Sequence, residues 1–246
     1  DFMITDVSVA LWPFADDLSV LPIDSLDMSG RMLVKYRSAI NRRKRFGTPM
    51  VARGLTWWEW QELYRDKLRT PLSIAWGEVA THNHFVLDRG GKVFKQTAPV
   101  IKLPEGASED DHLGLLGILN SSTACFWLKQ VSHSKGSTVD QRGARQSTVP
   151  WEDFYQFNAT KVAQFPLPAE RPVARARALD QFARRLAEVR PAAVCAAGVP
   201  TRKVLDEARA EYERIRSEMI AVHEELDWEV YRLYGLLDDD LTAPAD

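Results

Sequence analysis

The feature that most constrains this sequence is an apolar seam near its end. From about Thr201 to Tyr234, the residues Ala208, Tyr212, Ile215, Met219, Val222, Leu226, Val230 and Leu233 recur at alternating three- and four-residue steps. Side chains so spaced line one face of a helix, here ~50 Å long at about 1.5 Å per residue. Such a helix needs a partner to cover its seam. The nearest one is the stretch 172–190, where Pro172 suits a first helical position, Leu179, Phe182, Leu186 and Val189 form a second stripe, and Pro191 ends it. The predicted arrangement is an antiparallel helical pair turned through Pro191–Pro200, followed by an acidic tail from Asp238.

Upstream the periodicity changes. Leu72-Ser-Ile-Ala-Trp76 and Ala98-Pro-Val-Ile-Lys-Leu103 read as strands, and Phe85-Val-Leu87 and Lys92-Val-Phe94 flank a glycine turn as a hairpin would. Ser108 and Asp111 open a helix carrying Leu113, Leu116 and Leu119; Asn120-Ser-Ser122 is a polar elbow before a second short helix through Leu128. Gly114 and Gly117 lie inside the first of these and read as close-packing positions. The fold class that follows is α+β, with a mixed globular domain over 1–170 and a helical spacer with its tail over 171–246.

The net charge of −2 conceals a segregation. Residues 1–27 hold six acids and no base, whereas Arg31 to Trp58 holds eight bases and no acid. Within this basic stretch Met32, Leu33, Tyr36, Ile40 and Phe46 have helix-like spacing up to a stop at Gly47-Thr-Pro49. Arg42, Arg43, Lys44 and Arg45 form a contiguous run suited to tracking phosphates; a solvated helix face is the competing reading. Thr56-Trp57-Trp58-Glu59-Trp60 follows, with capping-box spacing between Thr56 and Glu59 and tryptophans read as packing anchors before base-stacking platforms. Residues 131–150 form a long polar loop, in which Lys135, Gln141, Arg142, Arg145 and Gln146 suit phosphate or base-edge contacts, against the alternative of disorder without function.

Other chemistries find little support. No apolar stretch reaches the ~20 residues that span a bilayer, and no targeting segment opens the chain, so a cytoplasmic location is expected. Asp1-Phe-Met-Ile-Thr reads like the interior of a longer protein. Cys125 and Cys195 have no metal or disulfide spacing. No G-x-G and no Pro-Pro pair occurs, so neither a dinucleotide-type cradle nor the Asn/Asp-Pro-Pro-aromatic motif of amino-methylation is available, and no cofactor is expected on this chain. His82 and His84 would share a face on a strand, but a metal site needs a third ligand that no spacing supplies. With Asn83 between them, they are candidates for contact with DNA bases.

Trp57-Trp-Glu-Trp, Ala80-Thr-His-Asn-His-Phe-Val-Leu-Asp-Arg-Gly-Gly91, Leu115-Leu-Gly-Ile-Leu-Asn-Ser-Ser122, Lys135-Gly-Ser-Thr138 and Lys161-Val-Ala-Gln-Phe-Pro-Leu-Pro168 together resemble a known pattern. It is that of the C-terminal specificity region of adenine-specific DNA methyltransferases, particularly the PglX type of BREX phage-defence systems and, more distantly, type IIG restriction-methylation enzymes. The resemblance covers nearly the whole chain. It implies a target-recognition role on double-stranded DNA beside an N-terminal catalytic domain that uses S-adenosylmethionine to methylate a flipped-out adenine, with other defence subunits as further partners. The alternative is a protein-interaction scaffold of a defence complex without base readout; a metal-dependent hydrolase built on His82 and His84 is a third.

Overall fold

The computed structural model describes residues 2–4, 8–68, 71–135 and 154–243. Its helices and small antiparallel sheets make it α+β, as expected. Contacts divide the chain into two compact units, Thr5–Arg69 and Asp1–Ile4 with Thr70–Asp246. The domain boundary expected after residue 170 falls inside the second.

In the first unit, α1 (Asp27–Lys35) and α2 (Arg37–Ile40) precede a hairpin of β1 (Lys44–Arg45) and β2 (Thr48–Pro49). The predicted basic helix therefore stops at Ile40, and the last bases of the run sit in the hairpin. The Thr56–Glu59 box forms in both directions, Thr56 N donating to the Glu59 carboxylate and Glu59 N to Thr56 Oγ1. No α-helix follows it in this unit, only a 3-10 turn at Arg65–Leu68. The carbonyls of Trp57 and Glu59 instead accept from Arg43 Nη2 at 2.9 and 2.8 Å, so this guanidinium takes acceptors that a helix would offer to its own next turn. Trp58 Nε1 donates to Leu21 O (3.0 Å) and Trp60 Nε1 to Leu11 O (2.8 Å), while Trp60 meets Trp12 edge-on at 5.0 Å. These are packing anchors, each with its polar handle satisfied.

In the second unit, β3 (Ser73–Trp76) is the middle of a sheet with β5 (Phe85–Asp88) and β6 (Val100–Ile101) at its sides, Ile74 facing Leu87 and Ile101. A second sheet has β8 (Tyr155–Gln156) between β4 (Val79–Ala80) and β7 (His133–Ser134). The predicted hairpin to Lys92–Phe94 does not form. That segment is not a strand; β5 pairs with β3, and Lys92 Nζ turns back to the buried Asp88 carboxylate at 2.8 Å. At Phe85, the amide of Asn120 stands in for a strand neighbour, Nδ2 donating to Phe85 O and Oδ1 accepting from Phe85 N, both at 2.9 Å.

Asn120 ends α3 (Glu109–Asn120), which opens with a capping box between Ser108 and Asp111, as the sequence predicts. Every residue of α3 from His112 onward is buried, as suits a helix apolar on all sides. Ser121 then caps α4 (Ser122–Val131), accepting from Ala124 N, which makes the polar elbow a cap. A short α5 (Ala159–Ala163) leads to α6 (Val173–Glu188), α7 (Pro191–Ala196) and α8 (Arg202–Leu233). Helices α6 and α8 run antiparallel, as ion pairs Arg175–Glu229 and Arg185–Glu211 require, and bury Ile215, Leu226 and Val230 of the seam.

The α3–α6 approach depends on glycine. A Cβ on Gly117 would lie 2.9 Å from Ala176 Cβ and 3.1 Å from Pro172 Cγ, and one on Gly114 would lie 2.7 Å from Arg171 Cβ. Helix propensity alone makes Gly117→Ala stabilising by about 1 kcal/mol. The packing reverses that sign: a loss of ~1–3 kcal/mol is expected from overpacking, read as a lower midpoint in urea unfolding. A raised midpoint would contradict the close approach.

Candidate nucleic-acid interface

The four-residue basic run is divided by the fold. Arg42 and Lys44 are exposed. Arg43 is committed inside its unit, donating from Nε to Ile40 O (3.1 Å) as well as to Trp57 and Glu59, and burial pushes its pKa down. Arg45 pairs with the Glu62 carboxylate and lies over the Phe46 ring at 5.3 Å. Arg43 is thus a structural cation, because its donors already satisfy part-buried carbonyls; Arg42 and Lys44 are the members of the run that a phosphate could reach. Exposed Arg31, Lys35 and Arg37 extend the same basic stretch, Arg37 lying over Trp57 at 5.3 Å.

In the other unit the second sheet gathers polar residues at one end. Its register aligns Ala80 and Ser134 with Tyr155, so the chain leaves β4 toward Thr81 and His82, leaves β7 at Lys135 and enters β8 from Phe154 all at the same end. Lys135 N donates to Phe154 O at 2.8 Å. Lys129, from the last turn of α4, holds its ammonium 5.5 Å from the Tyr155 ring centre. Sequence periodicity gives Tyr155 no role, since it joins this end through two-residue strands far apart in the chain. Gln141, Arg142, Arg145 and Gln146 lie outside the described residues.

The three residues around Asn83 part company. Asn83 is buried and its amide donates to Leu119 O (2.6 Å) and Ser121 O (3.3 Å). Its amide is spent on the α3–α4 elbow, so it does not present a base-reading group. His82 and His84 meet beside it with ring centres 3.7 Å apart and planes tilted by 54°, and His82 Nδ1 is 2.9 Å from Thr81 Oγ1. Desolvation, then the neighbouring His84 and Lys129, pushes His82 down to about 4, and desolvation also lowers His84. At neutral pH both rings are therefore uncharged. A neutral imidazole carries one donor and one acceptor, which suits a base edge better than a phosphate.

Among the described residues no group of three or more His, Cys, Asp or Glu could hold a metal, and no helix is long and apolar enough to cross a membrane. Gly114 and Gly117 have their missing Cβ space filled by Arg171, Val173 and Ala176, as close-packing positions do.

The histidine pair sets a pH dependence. An unfolded chain binds protons at these rings below the usual histidine value near 6.5, while folded His82 binds one only near 4. Stability should therefore fall as pH drops through that window. The slope should be shallower in His82→Gln/His84→Gln, measured by urea unfolding at several pH values; identical slopes would mean that the rings titrate normally.

No protein-family model matches the chain. The adenine-specific methyltransferase PglX of Streptomyces coelicolor is 48% identical over 248 aligned positions, which take in all of this chain and 20% of that protein. The chain thus spans about a fifth of the length of its curated relative. Over its whole length, it is homologous to one segment of a PglX-type adenine-specific methyltransferase.

Proposed function

We propose that this chain recognises double-stranded DNA as the specificity part of an adenine-N6 methyltransferase. The observation that carries the reading is the gathering of His82, Lys129, Lys135 and Tyr155 at one end of a sheet, in a chain similar throughout to part of an adenine-specific methyltransferase. Cations there and at Arg42 and Lys44 supply phosphate contacts that position the protein; the neutral His82 and His84, with Gln141, Arg142, Arg145 and Gln146, are the candidates for reading bases. The catalytic domain and S-adenosylmethionine belong to the rest of the longer protein. That protein acts, on this reading, in phage defence of the BREX kind or in restriction-modification, within the cytoplasm.

A scaffold role draws on a different observation. Val199 is fully exposed, and Val204 and Leu205 are exposed at the start of α8, an apolar end that a protein partner could cover.

A salt titration of duplex binding separates these readings. Arg42→Gln/Lys44→Gln should weaken binding to all duplexes alike and flatten the logarithmic salt slope by up to ~1.8, at about 0.9 for each phosphate no longer neutralised. Lys135→Gln should remove ~0.9. Salt slopes unaltered by either change would favour the scaffold.

A further inference from the structure

Phe46 sits where the fold gives its ring almost no burial. It takes the first turn position of the β1–β2 hairpin, with φ 46, ahead of Gly47 with φ 85; Lys44 faces Pro49 and Arg45 faces Thr48. A two-residue turn with both φ values positive favours Asn or Asp before Gly, and a bulky side chain in the left-handed region meets a steric penalty. Yet the Phe46 side chain is 94% exposed. Backbone strain and solvated apolar area are both unfavourable, and burial inside the unit offsets neither.

The hairpin is tied at its base and set among cations. Met50 N donates to Arg43 O (3.2 Å), and Gln61 Nε2 to Lys44 O (2.9 Å), which fix the base of the hairpin. Arg45, paired with Glu62, flanks the ring. Arg42 and Lys44 are exposed beside it, in a stretch with no acid from Arg31 to Trp58. An aromatic at the apex of a hairpin tied at its base, with positive charge at its root, matches a polyanion whose interior is a stack of flat apolar rings.

We propose that Phe46 is a wedge that enters a base step of duplex DNA while Arg42 and Lys44 grip the flanking phosphates. The inference rests on the duplex-recognition reading above and names the residue that opens the stack. Apolar side chains inserted between base pairs unstack and kink a duplex, most easily at pyrimidine–purine steps. Opening the stack in this way would ease the extrusion of a neighbouring base.

Phe46→Asn is the informative variant, since asparagine suits the turn and the hairpin is retained while the ring is removed. The probe is a short duplex with 2-aminopurine at a central TpA step. The unaltered protein should raise 2-aminopurine fluorescence on binding. Phe46→Asn should bind roughly 5- to 140-fold more weakly, the range for removing one base–aromatic stack, and show no fluorescence rise, with an undiminished melting temperature. Phe46→Trp should keep both. Phe46→Asn binding as tightly and brightening the probe as much as the unaltered protein, or the unaltered protein binding without any brightening, would overturn the wedge and leave DNA recognition standing. No duplex binding by the unaltered protein would overturn both.

Discussion

The close approach of α3 to α6 at Gly114 and Gly117 is the contact on which the larger unit depends. It lets α3 be enclosed from His112 to Asn120, and an enclosed helix end must have its polar groups satisfied. The chain does this with side chains from elsewhere. Asn83 donates to Leu119 O and Ser121 O, and Asn120 O lies 3.0 Å from His223 Nε2. Ser122 N donates to Asp227 Oδ1 at 2.7 Å. One buried helix end thereby sets the position of β5, the start of α4 and the middle of α8. Arg89 adds a second tie, chelating the buried Asp180 of α6 and reaching Glu109 of α3 at 2.7 Å.

That scaffold also places the chemistry. Asn83 is pinned inward, so His82 and His84 on either side of it are held together outside the core. Lys129 rides on α4, whose first turn the same elbow caps, and its charge helps keep His82 neutral. The polar end of the second sheet is thus positioned by packed helices, although His82, Lys135 and Tyr155 lie in loops and strand ends. Rigid support beneath loop-borne contacts is the usual division of labour in recognition.

Much of this was legible in the sequence, and the reasons differ by element. The α8 seam, the Ser108–Asp111 box and the two close-packing glycines are local signals, and each appears where spacing placed it. The Lys92–Phe94 strand failed because its intended partner, β5, found β3 on one edge and the Asn120 amide on the other, a long-range choice that no local pattern reveals. The Thr56–Glu59 box formed without regular helix because Arg43, thirteen residues before Thr56, took the carbonyls. For the same reason charge alone misjudged Arg43: a run of four bases looks uniform in sequence, and the fold spends one on carbonyls and another on Glu62. Asn83 misled similarly, since an amide suited to a base edge is equally suited to a helix end.

The claim that this segment carries DNA specificity is tested most directly by exchange. The segment matching this chain would be swapped between two PglX-type proteins that methylate different sites, and methylated adenines mapped across the genome for parents and chimaeras. The account predicts that the methylated site travels with the exchanged segment. A chimaera that remains active and keeps the site of the protein supplying the remainder would contradict it.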